Sequence, residues 1–396
     1  MRVRFNSSRR LASAVVVGAL LLVACGDDEK TESTAAPATD AVDTTTGGGD
    51  TTVAPEEDPL AALFAECLDN GAKVNLIALP DEWANYKGVL ASFGEKYPGV
   101  EYPVQNPNAS SQEELDAIVN LAGQDDMPDA IDVSPAKAII AADQGLWQPY
   151  EPTTIGEVPS NMKDPDGNWV SAYYGIMSIG TNTTIVPNAP TSFADLAKPE
   201  YEGLVALNGD PRESGSALAA VMAASIANGG SPDDIMPGIQ FFADLKASGN
   251  LIPTEVTQAT VISGETPIAL DWSYNYPGLA AAVADAGFTI EINFPTDAAY
   301  GAPYAQGVVA GSPHQACAKL WVEHILSDEA ALAYLQGGGM PARYAAVDAA
   351  GLISEADKAN LPPADLLENV VFLTPEQSAA ANELLLANWG PMVADV

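Results

Sequence analysis

The chain has 396 residues, with 53 Asp and Glu against 16 Lys and Arg, for a formal charge of −37 at pH 7. So acidic a chain repels nucleic acid and anionic lipid head groups, which excludes both as partners. Its three cysteines exclude a disulfide-rich scaffold and any multi-cysteine metal site, while 47% hydrophobic residues suffice for substantial cores.

Met1–Arg10 carries Arg2, Arg4, Arg9 and Arg10 and no acid, and an apolar run then leads from Leu11 to Ala24 and Cys25. That order is a secretory signal, and its run is shorter than the ~20 residues of a membrane span. Leu22-Val23-Ala24-Cys25 resembles a bacterial lipobox, in which cleavage leaves the cysteine as the lipidated first residue. The expectation is a signal over 1–24 and a lipid anchor at Cys25, holding the protein to the extracytoplasmic face of the cell membrane. Cleavage removes four arginines and no acid, so the mature charge becomes 12 − 53 = −41. That much acid first suits solubility in a salty or acidic habitat; a cationic ligand drawn by the field is the second reading, which charge alone does not establish.

Residues 25–59 read as a disordered tether. Positions 26–58 have no aromatic residue and are rich in Thr, Asp, Gly and Pro, a composition that buries too little apolar surface to fold. A flexible chain of this length reaches ~30 Å. The body from 60 onward is long enough for two domains.

In the body, strands and helices alternate: a strand over 73–79, a helix over 82–96, a strand over 100–104, a helix over 112–122 and a strand over 130–133. Alternation of this kind predicts a parallel sheet. Ser134-Pro135 supplies a cap and a first-turn proline for the next helix. Asp166-Gly167 marks a hairpin turn ahead of a long apolar strand ending at Asn182. A second α/β block follows, with a strand and loop before a helix that starts at Ser214 or Ser216, a helix over 232–248, a strand over 267–271, a helix over 277–286 and a strand over 288–294. Two helices split near Ser327-Asp328 follow. Cys67 and Cys317, exported with the chain, could pair or remain separate buried thiols.

Enzyme signatures are lacking. His314 and His324 fit no His-Glu-x-x-His pattern, and there is neither a Gly-x-Ser-x-Gly elbow nor a phosphate loop. Neither cofactor nor metal is expected, and a tethered extracellular hydrolase is the alternative from another class.

The order and spacing of "DPDGNWVSAYYGIMSIGTNT", "PTSFADLAKPEYEGLVALNGDPRESGSA", "VISGETPIALDW" and "GVVAGSPHQACAKLWVEHILSDEAALAYLQGGGMPARY" resemble the extracellular solute-binding proteins of ABC importers. The similar branch includes spermidine/putrescine, ferric-iron and phosphonate binders, and the likeness spans roughly 72–345. It implies an α/β fold of two lobes, type II among periplasmic-binding-protein-like folds, with two mixed, mainly parallel sheets flanked by helices. Lobe 1 would cover 60–178, lobe 2 179–304, and 305–396 would return to lobe 1 and form the C-terminal helices. Strands crossing near 176–184 and 303–311 would form the hinge. The partners implied are a small-molecule solute held between the lobes and an ABC permease in the membrane, with the binding protein a monomer.

Sites in such sheets lie at the carboxyl ends of strands. The loop after the first strand offers Asp81, Glu82, Trp83 and Tyr86, whose Trp-x-x-Tyr spacing resembles the first binding loop of polyamine binders. Ser134 follows the third strand; Arg212, Ser214 and Ser216 precede or open a helix in the second block; Asp271, Trp272 and Tyr274 end a strand. Trp83 and Trp272 could instead pack cores, and the serines could be plain caps. Asp271 is harder to assign to structure, because a carboxylate continuing an apolar strand is costly to bury alone. Ferric binders of this family carry adjacent tyrosines where Asn275 separates Tyr274 from Tyr276. Phosphonates or sugar phosphates call for cations, and although Arg212 and Arg343 are the mature chain's only arginines, Arg212 beside a helix start keeps that alternative, like ferric iron, open. Acids among aromatic rings favour a polyamine-like organic cation.

Overall fold

A computed structural model of the chain describes residues 59–358 and 361–394; the expected signal, Cys25 and the tether lie outside the described residues. The fold is mixed α/β, with sheets flanked by helices. In the first lobe β1 (Leu76–Ile77) pairs in parallel with β2 (Val104–Gln105). The Asp129 N–H donates to the Asn75 carbonyl and brings β3 (Ala130–Val133) alongside. β4 (Trp147–Gln148) lies two places further on, and a strand from late in the chain enters between β3 and β4.

The second lobe is built on β5 (Tyr173–Asn182), β6 (Val205–Leu207), β7 (Ile268–Trp272) and β8 (Ile290–Asn293). β6 runs parallel to β7, and β5 is antiparallel to β7 and β8. Beside them the Gly215–Ala227 helix is apolar all round, and Ser216, Ala217 and Ala219–Ser225 are buried. A helix without a polar face belongs inside, and this one packs on the Met236–Ala247 helix and on β7.

Both sheets are tied together by strands that serve each lobe in turn. The start of β5 pairs with β9 (Gly301–Pro303) and β11 (Met340–Pro341), while its end pairs with β7 and β8. β10 (Ala305–Val309) continues from β9 into the first lobe, antiparallel to both β3 and β4. A bridge between Val170 and Gln306 completes the crossing. The first crossing strand thus starts a few residues before the predicted 176. Antiparallel pairs enter each sheet with these strands, because a chain that leaves a lobe and returns runs in opposite directions.

Local departures from the predicted elements have backbone causes. The helix predicted over 82–96 begins at Tyr86, because Ala84 (φ 46°) and Asn85 (φ 59°) are left-handed; the Asn85 side chain then caps it by accepting from the Gly88 N–H. The 232–248 helix starts at Met236 and the 277–286 helix at Ala280, after a 3-10 turn over Pro277–Leu279. The hairpin at Asp166-Gly167 forms, with Gly167 at φ 73° and the Asp164 carboxylate accepting from Asp166 and Asn168.

Cys67 and Cys317 are joined, Cα to Cα 4.7 Å, across 250 residues of sequence. The bond fastens the Pro59–Asp69 helix onto the Gln315–Ile325 helix. Closing a loop of that size contributes roughly 5 kcal/mol in the chain-entropy account. The C-terminal Pro375–Trp389 helix lies behind the junction and sets Trp389 against Phe242 of the second lobe, ring centres 5.9 Å apart. Among the described residues no helix is long and apolar enough to cross a membrane.

Candidate functional site

Between the lobes lies a cleft of about 900 Å³. The first lobe lines it with the loops after β1 and β2, the start of the Ser111–Asn120 helix and the end of β3; the second lobe contributes the loop after β6, the Gln258–Ser263 helix with its cap Thr257, and the end of β7. The carboxyl ends of strands meet there, as the geometry of such sheets requires.

The lining is acidic on both sides. Glu82, Glu113, Glu114 and Asp132 come from the first lobe, Asp210, Glu213, Glu255 and Asp271 from the second, and no Lys, Arg or His joins them. Two of these carboxyls are buried at strand ends and are held in different ways. Asp271 Oδ2 accepts from Asn208 at 2.7 Å and Asn275 at 2.8 Å, and Oδ1 accepts from the Trp272 N–H at 2.8 Å. Burial pushes its carboxyl up to about 6 against the pull of these donors. Asp132 Oδ2 accepts from the hydroxyls of Tyr86 at 2.5 Å and Tyr173 at 3.0 Å, whereas Oδ1 is buried with no hydrogen-bond partner. Burial pushes Asp132 up to about 7. Glu114, whose carboxylate accepts the Asp132 N–H at 2.9 Å, is raised well above the usual range, first by burial and then by Asp132.

Around Asp132 the aromatic residues form a rigid wall. Tyr173 stacks on Tyr334 with ring centres 4.7 Å apart, Tyr86 meets both edge-on, and the indole of Trp83 donates to the Tyr173 hydroxyl at 2.8 Å. Trp83 also reaches over the junction, 5.4 Å from the Tyr274 ring and 5.5 Å from Tyr304. The lobes touch closely at Gly215, where a Cβ would stand 2.6 Å from that of Ser134. Glycine is needed for that approach.

Of the residues singled out in the sequence, Glu82, Trp83, Ser214, Ser216 and Asp271 line the cleft. Asp81 is exposed outside it. Tyr86 is buried behind the wall and acts on the cleft through Asp132. Ser134 is buried at the contact with Gly215, its N–H bonded to Ser111 Oγ. Arg212 turns onto Asp210, its Nε 2.9 Å from Oδ1, and is not a lining residue. Trp272 and Tyr274 were expected at the rim and instead lie in the core, 1% and 0% exposed. Successive residues of a strand point to opposite faces, so with Asp271 toward the cleft Trp272 must point away, and it does, its indole 3.4 Å from the Tyr304 hydroxyl. Tyr274 follows in a 3-10 turn that folds it under the sheet against Gly175.

Asp132, Glu114 and Asn208, which nothing in the sequence singled out, also line the cleft, as do Asn275 and Tyr276, noted there only for their spacing from Tyr274. Asp132 interrupts the buried strand "AIDV" just as Asp271 ends "IALDW", so the same reasoning about an unpaired acid in an apolar strand would have found it. Asn208 and Asn275 carry no such signal, being ordinary loop residues until Asp271 collects them. Among the described residues no group of three or more His, Cys, Asp or Glu side chains is placed to hold a metal ion.

A carboxyl raised on folding favours the folded state below its unfolded value, near 4; that advantage is lost as pH rises through the folded value, about 7 for Asp132. Neutral Asn escapes this cost. Thermal melts of the ligand-free protein should therefore show Asp132→Asn gaining on wild type as pH is raised from 5 to 8. A difference between the two that stays constant over that range would refute the assignment.

The family model for bacterial extracellular solute-binding proteins matches residues 125–369. No curated protein matches the chain. Three solved structures with similar folds differ in what they hold. AfuA from Actinobacillus pleuropneumoniae, with fructose-6-phosphate bound, is 18% identical with a TM-score of 0.62, covering 82% of this chain and 98% of its own. Iron-bound HitA from Pseudomonas aeruginosa is 21% identical with a TM-score of 0.61, covering 79% and 97%. AgtB from A. tumefaciens R10, in complex with agropinic acid, is 16% identical with a TM-score of 0.64, covering 82% and 99%. Their common two-lobed architecture is the one described above, and with the family match over more than half its length the chain belongs to the bacterial extracellular solute-binding proteins.

Proposed function

We propose that this protein captures a polyamine-like organic cation between its lobes and delivers it to the permease of an ABC importer. The observation that carries this reading is the cleft lining, eight carboxyl side chains with no basic one. An ammonium held there gains charge pairing and, against the half-buried face of Trp83, cation–π contact worth ~0.5 to 2 kcal/mol. Among the described residues an anion finds no cation in the lining; Lys137, behind it, is bonded to Gln112 at 2.7 Å. Arg212 is engaged by Asp210, and Arg343 by Glu157, Asp328 and the Leu326 carbonyl.

A ferric ion is disfavoured because Asn275 separates Tyr274 from Tyr276 and Tyr274 lies in the core, off the cleft lining. A hydrolase is disfavoured by where the histidines stand: His314 pairs with Asp129 at 2.9 Å, and His324 sits against the Val89 carbonyl, pushed down to about 4 by burial. Neither lines the cleft. In this reading the protein works as a monomer, its lobes dividing as 60–178 and 179–304 with the return at 305–396, and Cys25 carries the lipid. The Leu22-Val23-Ala24 approach to Cys25 supports that anchor.

Calorimetry at pH 7.5 with putrescine, spermidine, a phosphonate, fructose-6-phosphate and ferric citrate should give heat with the amines alone. Asp271→Asn should then weaken amine binding through loss of a charge-assisted contact of roughly 1.5 to 3 kcal/mol, about tenfold to a hundredfold or more in Kd. An anion that binds, and binds more tightly to Asp271→Asn, would overturn the cation reading and leave the binding-protein assignment standing. For the anchor, wild type expressed in a bacterial host should fractionate with membranes, and Cys25→Ser should be released or misprocessed. Unchanged retention of the variant would count against lipidation.

A further inference from the structure

Asp132 stands at the cleft wall with one oxygen occupied and the other idle. Oδ2 accepts two tyrosine hydroxyls, while Oδ1 is buried without a partner. Among the described residues every neighbouring element presents a neutral or acidic group to this carboxyl and none presents a cation: Glu114 from the Ser111–Asn120 helix, Tyr86 and Tyr334 from two other helices, Tyr173 from β5, and from β10 Gln306, whose amide, like the two hydroxyls, pulls the carboxyl down against its burial. Across the junction Tyr274 and Tyr304 also feel its charge. A bare carboxylate with half its lone pairs unfilled is costly to bury, whereas the neutral acid is far less so. Asp271, with three N–H donors, is better provided for as an anion.

We infer that Asp132 is the principal anchor for the ligand's ammonium and that capture is an exchange of cations, in which the acid proton at Oδ1 leaves as a ligand N–H takes its place. In this step the O–H bond at Oδ1 breaks, its proton passes to a base in solution, and a charge-assisted N–H···O bond forms in the same position. At Oδ1 one positive charge replaces another; the further ammonium groups of putrescine or spermidine meet the other carboxyls of the lining. Tyr86 and Tyr173 are positioning residues: they fix Oδ2 and leave Oδ1 to the ligand. Tyr86 is itself held by Gln306, whose amide donates to its hydroxyl at 3.0 Å. The inference rests on the cation reading above and adds an anchor on the first lobe, opposite Asp271 on the second.

Titration of the full chain with putrescine and spermidine, in phosphate and in Tris, tests it, since the difference in observed heat between the buffers counts the protons released. With the carboxyl near 7, release should be about half a proton at pH 7 and nearly none at pH 8.5, and Kd should rise about tenfold for each pH unit well below 7. Asp132→Asn should abolish most of the release at pH 7 and weaken binding at pH 8.5. Tyr173→Phe withdraws one donor from Oδ2, so it should move the bend in the Kd–pH curve to higher pH, and it keeps the test open if the Asn variant fails to fold. Amine binding at pH 7 with the same heat in both buffers would overturn the exchange while sparing the cation reading. Unchanged proton release in Asp132→Asn would overturn the assignment to Asp132. Failure of both amines to bind at any pH would sink the cation reading and the exchange together.

Discussion

Two carboxyls at the ends of buried strands set the terms for the rest of this molecule. A carboxylate taken out of water must find donors, a counter-ion or a proton, and Asp132 and Asp271 answer that demand differently. Around Asp271 the second lobe collects Asn208, Asn275 and a backbone N–H. Around Asp132 the first lobe places two tyrosine hydroxyls on one oxygen and leaves the other without a partner. The cluster of Tyr86, Tyr173 and Tyr334, stacked and edge-on, makes that arrangement stiff, because close-packed rings have few alternative rotamers.

The junction between the lobes is subject to the same constraint. Tyr173, which holds Asp132, is the first residue of β5, the strand that later pairs with β7 and so stands beside Asp271 through Ser178. One strand therefore connects both buried acids, and Trp83 spans the gap above it by bonding Tyr173 and packing on Tyr274. A movement of the lobes about the crossing strands would change the spacing of the two carboxyls. The Cys67–Cys317 bond and the C-terminal helix sit away from the cleft lining, where they hold the first lobe's outer helices and the back of the junction.

Much of this was legible in the sequence. Alternating strands and helices with capped starts foretold the two α/β blocks, and the apolar run broken by Asp271 pointed to a strand end at the cleft. What was not legible has physical reasons. Trp272 and Tyr274 lie next to Asp271 in sequence, but strand alternation and a 3-10 turn send them inward, and only the register with β5 reveals which of the pair faces out. The left-handed Ala84, which delays a helix beside Trp83, leaves no local mark in "DEWANYK", whereas Asn85, a residue type that favours both the left-handed region and the helix cap, does mark the later start. Asp132 was readable by the rule that found Asp271. Its significance was not, because Tyr86, Tyr173 and Gln306 come to it from three distant parts of the chain.

In the proposed reading the cleft receives a cation between its two lobes, anchored on Asp132. A crystal structure of the protein grown with putrescine or spermidine tests this most directly. Closed lobes are expected, with an amine nitrogen within ordinary hydrogen-bond distance, about 3 Å, of Asp132 Oδ1, and the Tyr86 and Tyr173 hydroxyls still on Oδ2. An amine bound elsewhere with Oδ1 untouched, or an anion ordered at the start of the Gly215–Ala227 helix in its place, would contradict it.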